Sequence, residues 1–320
     1  MITIYQQTDG NLQAKSGDIT LLDELSPGMW IDLIAPSYDD IIAVSQATGI
    51  NAELLLTTLD SEESSHVESE DGDLLIVLDA PLIIDDHGQK YETTPVSLAY
   101  NKDYFVTIAV QDIQIMPMTL AKNRKINPAN HVHFTLMVFN RLSALFIYYL
   151  KKIDGATREL SIRLRSSYKN KELYELLDFS TTMVYFSTAL NADIATLMQL
   201  KRLPGYKNQE EELDFIEDVE IELNQARDMA NVFRDVLSST MDAFASIISN
   251  NLNIVMKTFA VVSIVLTVPT IIASLYGMNI INIPLADNPG AFWIVLLISA
   301  VLAAISGVFL FLYQKTIRRK

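Results

Sequence analysis

Cysteine is absent from the 320 residues, which excludes disulfides, thiolate metal sites and cysteine nucleophiles. Positive charge is scarce: 24 Lys and Arg stand against 39 Asp and Glu, a formal balance of −15. A nucleic-acid surface needs cationic side chains for its phosphates, so that partner is not expected, whereas this sign of charge attracts cations. The opening residues Met1-Ile2-Thr3-Ile4-Tyr5-Gln6-Gln7 contain neither a basic stretch nor a long apolar core. No cleavable signal is therefore expected, and the N-terminal part is expected to stay in the cytoplasm. There is no Walker-type glycine loop, no nucleophile elbow and no HExxH, so an enzyme is not expected. The histidines His66, His87, His131 and His133 read as surface or loop residues, with a His131-Val132-His133 zinc chelate on a strand edge as the sharper alternative.

Charge of either sign is missing from two long stretches. Residues 258–286 and 291–314 contain no Asp, Glu, Lys, Arg or His, and apolar runs of about 20 residues are candidate membrane spans. The first is not uniformly apolar. Asn253, Met256, Ala260, Ser263, Thr267, Thr270 and Ser274 recur in steps of three and four, forming one polar and small-residue face on a helix. Such a stripe wants either a polar partner helix or water. Hydroxyls that merely satisfy nearby backbone carbonyls at a packing interface are the plainer alternative. Lys257 and the tail Lys315 to Lys320 flank the pair of spans, while the loop between them carries only Asp287. The positive-inside rule then puts both termini in the cytoplasm and the loop outside.

Before the spans, residues 1–130 read as an α/β domain. Short β-branched and aromatic runs at Ile2–Tyr5, Met29–Ile34, Leu74–Leu78, Pro95–Tyr100 and Tyr104–Ala109 predict strands. Helices are predicted from Asp39-Asp40 through Ala47 and from Ala52 to Leu59, and Asn101-Lys102-Asp103 predicts a hairpin turn. Residues 61–73, dense in Glu and Asp, read as a solvated loop, with a loose divalent site as the alternative. Residues 131–207 switch to helical period and predict an antiparallel hairpin, Phe134–Ser167 and Leu173–Leu203. Pro204-Gly205 interrupts it. A helix from about Asn208 to Leu275 then follows, on the order of 100 Å long, with an acidic beginning and an apolar face from Leu213 to Leu237. It divides into a stalk, 208–257, and a first span, 258–275. The loop 276–290, the second span 291–314 and the basic tail 315–320 complete the chain. Ser299, Ala303 and Gly307 place small residues every four positions of the second span for close helix contact.

Tyr276-Gly277-Met278-Asn279 after a charge-free helix, with Asn253, Met256-Lys257 and Pro269-Thr270 upstream and a second apolar segment ending in a basic tail, resembles the CorA family of divalent-cation channels. The proline stands one position nearer the threonine than in the family pattern. Trp30-Ile31-Asp32-Leu33 with Pro36, and Pro95-Val96-Ser97-Leu98 followed by Tyr104-Phe105-Val106-Thr107, are similar to the family's soluble domain. The resemblance implies an α/β cytoplasmic domain, a long stalk helix and two C-terminal transmembrane helices, assembled as an oligomeric funnel in the cell membrane. It implies a homopentamer with the first span lining the axis, Gly277, Met278 and Asn279 forming the selectivity loop, and Tyr276 supporting it.

The transported ion would be Mg²⁺, with Co²⁺ or Ni²⁺ tolerated, moving passively down the membrane potential. Asn253, Thr267 and Thr270 would supply oxygen rings along the pore, and Met256 or Phe259 an apolar gate. The family pattern also implies a regulatory Mg²⁺ site between neighbouring cytoplasmic domains, whose stalk carboxylate falls on Asp218; Asp60 or its neighbours are the candidate partner from the α/β domain. A zinc transporter of the same family and a membrane-anchored cytoplasmic sensor or scaffold are the alternative functions.

Overall fold

The computed structural model describes residues 1–8, 11–84, 90–113, 126–166, 170–207, 210–278, 283–285 and 288–317. They form two compact units, Met1–Met241 and Asp242–Lys320.

The first unit is built on a seven-stranded mixed sheet. Its strands are β1 (Ile2–Thr8), β2 (Asn11–Gly17), β3 (Trp30–Ile34), β4 (His66–Glu70), β5 (Asp73–Ile83), β6 (Tyr91–Tyr100) and β7 (Phe105–Ala109). They lie in the order β2-β1-β3-β7-β6-β5-β4. Only β3 and β7 run parallel, in the register Trp30 to Phe105 and Ile31 to Val106; the other neighbours are antiparallel. The Asn101 turn joins β6 to β7, its side-chain oxygen accepting from the N–H groups of Asp103 and Tyr104 at 2.9 and 3.0 Å.

Alternation along the strands sends side chains to two apolar layers. On one face Ile31, Leu33, Leu75, Val77, Val106 and Ile108 pack with Ile41 and Val44 of α1 (Tyr38–Thr48) and Leu54 and Leu55 of α2 (Ala52–Thr57). Ser37 starts α1 through a reciprocal capping box with Asp40, and Gly49, at φ 76°, ends it in the left-handed conformation. On the other face Trp30 and Phe105 meet Phe134 edge to face, and Tyr91 meets Phe186. Those partners belong to α3 (His131–Ser166) and α4 (Asn170–Leu200). Each fully buried ring or branched chain contributes on the order of 1.5–3 kcal/mol of transfer free energy, and nearly all of these are below 2 % exposed.

Two expectations are corrected. Residues 66–70, inside the segment read as a solvated loop, form the edge strand β4, paired to β5 from His66 opposite Val77 to Glu70 opposite Asp73. An edge strand with one face in water tolerates charge, so its acids hide the strand signal. His131 and His133 lie in the first turn of α3, where residues two apart diverge, and not on a strand edge. His131 packs on Tyr100 and Phe105, while His133 approaches Glu212 at 3.2 Å and stacks near Phe215.

After a single helical turn at Pro204–Lys207, α5 runs from Glu210 to Tyr276. Within the first unit it buries Ile216, Val219, Leu223, Ala226, Ala230 and Leu237, all at 0–1 % exposure. Their steps of three, four and seven make one continuous seam. The second unit holds the remainder of α5 and α6 (Ala291–Ile317). Both helices contain windows long and apolar enough to cross a membrane.

Candidate functional site

Within the second unit the partly covered positions of the two apolar helices fall on one side of each. On α5 the partly covered positions include Val261, Val265, Val268 and Ile272, in steps of four and three. On α6 they are Val295, Ser299, Ala303, Ser306, Gly307 and Leu310. Gly307 lies directly against Val265, and Ser299, 8 % exposed, returns its hydroxyl to the Val295 carbonyl at 2.8 Å.

Asn253, Met256, Ala260, Ser263, Thr267, Thr270 and Ser274 are all exposed in the protomer, as is Phe259 at 68 %. Ser263, Thr270 and Ser274 stand two residues from positions of that side, a rotation of about 200° on a helix, and Ala260 and Thr267 stand one residue before Val261 and Val268, about 100° away. The polar stripe therefore points largely away from α6. Thr267 donates its hydroxyl proton to the Ser263 carbonyl at 2.8 Å and Thr270 to that of Leu266 at 2.9 Å. That is the self-satisfied geometry weighed above, and it has a chemical consequence. With the proton directed back along the helix, each oxygen offers its free lone pair outward as an acceptor. Acceptors suit water molecules whose protons point away from a cation.

At the end of α5, the N–H of Gly277 donates to the carbonyls of Ala273 and Ser274 at 2.9 and 3.2 Å. A Cβ at this position would stand 3.3 Å from the Ala273 oxygen. Close approach to the last helical carbonyls, not a left-handed backbone, is what glycine permits here. Met278 follows, 49 % exposed, and Tyr276 is 38 % exposed. Asn279 lies outside the described residues. Pro269 sits inside the helix, so the Val265 carbonyl lacks its usual N–H donor.

The proposed regulatory carboxylates are in the first unit. Asp218 is exposed on α5. Asp60 is exposed in the turn after α2, where its Oδ1 accepts from the Glu62 N–H at 2.9 Å. Among the described residues, no group of three or more His, Asp or Glu side chains converges to hold a metal ion. Three further acids of α5 lie outside that assignment. Glu217, Glu220 and Asp228 line a groove of about 780 Å³ along α5, together with Ile221, Met229, Val232 and Lys201 of the α4 end. Lys201 pairs with Glu220 at 3.7 Å. Ile221 and Val232 are 64 % and 57 % exposed, and their alternation with acids resembles the solvated side of any charged helix, so nothing in the sequence marks them.

An α/β unit, and a second unit of two apolar helices with a row of oxygen acceptors on one of them, are the parts expected of a membrane protein of the transport class. The family described as CorA-like Mg2+ transporter protein matches residues 28–319, and the chain belongs to that family. The cobalt/magnesium transport protein CorA of Methanocaldococcus jannaschii is 28 % identical over 316 residues, covering 95 % of this chain and 97 % of that one. The cobalt/magnesium transport protein CorA of Thermotoga maritima is 23 % identical over 297 residues, 88 % of this chain and 81 % of that one. The complete structure of the CorA magnesium transporter from Methanocaldococcus jannaschii superposes with a TM-score of 0.80 at 25 % identity, covering 97 % and 96 % of the two chains.

Proposed function

We propose that the protein conducts hydrated Mg²⁺ passively into the cell, driven by the membrane potential, with Co²⁺ and Ni²⁺ as tolerated ions. The observation that carries this reading is the row of Ser and Thr oxygens on α5, turned largely away from the side that faces α6. Two spans cannot enclose a path, so several copies contribute α5 to a common axis; cyclic homo-oligomers are the usual solution, and membership of the family favours five. The groove lined by Glu217, Ile221 and Val232 supports a second copy packing along the stalk.

Mg²⁺ releases its waters reluctantly and keeps octahedral oxygen coordination. Neutral acceptors that bind those waters select the hydrated ion and still let it leave, where a ring of carboxylates would hold it. In this reading Asn279 forms the outer ring, with Gly277, Met278 and Tyr276 shaping the loop. Thr270, Thr267 and Asn253 continue the oxygen path, and Met256 and Phe259 close it by dewetting. Asp218 and Asp60 bind Mg²⁺ between neighbouring copies when the cell is replete and hold the ring shut. Both termini are cytoplasmic, and the loop between the spans faces outward, in the plasma membrane.

The test is Mg²⁺ influx into liposomes containing the purified protein and an enclosed Mg²⁺ dye. Wild type conducts under an inside-negative potential and Asn279→Ala loses most of the flux. Equal flux from both proteins removes the selectivity loop, and no flux from wild type removes the transport reading.

A further inference from the structure

Three oxygens from separate parts of the first unit meet where α4 crosses the sheet. Ser65 Oγ lies 2.9 Å from Asp79 Oδ2 on β5 and 2.8 Å from Asp193 Oδ1 on α4. The Asp79 N–H also donates to Asp193 Oδ1 at 3.0 Å. Asp193 is fully buried, and its Oδ2 has no hydrogen-bond partner. Neither carboxyl forms an ion pair among the described residues.

A contact of 2.8–2.9 Å between two oxygens needs a hydrogen between them. The serine hydroxyl has one proton and two such contacts. The second proton therefore belongs to a carboxyl. An ionised Asp193 would leave Oδ2 as a buried, unsolvated charge beside a second acid, so Asp193 is the member that holds it. Burial pushes the Asp193 carboxyl far above the ordinary range, and the neighbouring Asp79 charge adds to this. Burial raises the Asp79 carboxyl too, against the Ser65 hydrogen bond, which favours its ionised form.

The surrounding elements offer no competing charge. On α4 there is no other acid or base between Asp178 and Lys201 except the phenol of Tyr185, which is 48 % exposed. On β5 Asp79 stands alone between Asp73, bound by the Asn51 N–H, and the strand end. On β4, His66 pairs outward with Glu63 and Glu68, and Glu70 with Asn51. On β6, Glu92 pairs with Lys90, and Tyr91 packs against Tyr149 of α3. Among the described residues, no base of α3 pairs with either acid.

We propose that Asp193, Ser65 and Asp79 form a proton-binding site holding one shared proton, which fastens the acidic turn Asp60–Ser65 and β5 to α4. Loss of the proton puts two like charges on one hydroxyl and loosens that turn. Because the turn carries Asp60, cytoplasmic pH then tunes inhibition by internal Mg²⁺; this second step rests on the regulatory reading above, whereas the proton site does not.

The first measurement is infrared absorption of the full-length protein in detergent at pH 7.5, where wild type shows an un-ionised carboxyl band that Asp193→Asn lacks and Asp32→Asn keeps. No such band in wild type, or a band that survives Asp193→Asn, overturns the site. Should Asp193→Asn fail to fold, Ser65→Ala takes its place. It retains both acids and shifts the band by removing the hydrogen bond; an unmoved band overturns the relay. Loss of the wild-type band on adding millimolar Mg²⁺ alone would assign the pair to a cation and also overturn it. In liposomes, the internal Mg²⁺ concentration that halves influx changes at least about threefold between pH 6.5 and 8.5 in wild type and stays constant in Asp193→Asn. A pH-independent wild type with the band intact removes the regulatory step alone, and a channel that internal Mg²⁺ never inhibits faults the regulatory reading beneath it.

Discussion

Gly307 of α6 and Val265 of α5 touch through the space that a side chain at position 307 would need. A Cβ placed there stands 3.5 Å from Val265 Cγ2, an ordinary contact distance with nothing to spare beyond it. Val265 is also the residue whose carbonyl Pro269 leaves without its helical donor. The second helix therefore meets α5 at the stretch whose own hydrogen bonding is interrupted.

Gly307→Ala should accordingly fold and assemble like wild type, since one methyl reaches contact without overlap. Gly307→Leu should separate the helices at a cost of about 1–3 kcal/mol, the usual range for overpacking. Thermal unfolding in detergent distinguishes them: the alanine variant keeps the midpoint and the leucine variant lowers it by several degrees. A leucine variant as stable as wild type would mean that the two helices do not rely on this contact.

The outward stripe gives a second outcome. Thr267→Val and Thr270→Val preserve shape and remove an oxygen acceptor each, so the double variant should pass Mg²⁺ about tenfold more slowly, equivalent to about 1.4 kcal/mol on the barrier. Val261→Thr adds an oxygen on the face turned to α6 and should leave flux unchanged. Liposome influx measured side by side tests the pair, and an unimpaired double valine would return these hydroxyls to a purely helical role.

Much of this was readable beforehand because period and composition agreed. The strands at Met29–Ile34 and Tyr104–Ala109 are apolar on both faces since the sheet is covered on both, and the charge-free runs announce their solvent. The edge strands β2 and β4 were not read. Asn11–Gly17 and His66–Glu70 are polar, and their pairing is decided by partner strands many residues away. The Asp79–Ser65–Asp193 cluster was equally hidden. Its members are separated by 14 and 114 positions, and only the crossing of α4 over β5 brings them together.

A buried polar chain in the sheet carries a pH dependence of its own. Trp30 Nε1 donates to Thr107 Oγ1 at 2.9 Å, and Thr107 donates to Asp32 Oδ1 at 2.6 Å. Burial pushes the Asp32 carboxyl up to about 6, against the opposing Thr107 hydrogen bond. A raised acid stabilises the fold most when protonated, so its contribution is complete below the unfolded value near pH 4 and is lost as pH rises through about 6. The difference is on the order of 2–3 kcal/mol across that window. Asp32→Asn should flatten denaturant stability between pH 4 and 6.5, and Thr107→Val should cost about 1–3 kcal/mol by stranding both partners. An Asp32→Asn profile parallel to wild type would show that Asp32 does not titrate there.

Inhibition from inside the cell tests the stalk. Asp218 is exposed on α5, beside the groove acids Glu217 and Glu220, and no described cluster within one chain supplies three metal ligands. In the regulatory reading the ion draws further ligands or water from a neighbouring copy, and removing one anionic ligand should weaken it by about tenfold, or 1.4 kcal/mol. Asp218→Ala should raise the internal Mg²⁺ concentration needed for half-inhibition by that factor while leaving flux in low internal Mg²⁺ unchanged. Glu220→Gln is the discriminating comparison, because its carboxylate already has Lys201 at 3.7 Å and is partly neutralised. A dose response that ignores Asp218→Ala but shifts with Glu220→Gln or Glu217→Gln would move the regulatory ion from Asp218 into the groove.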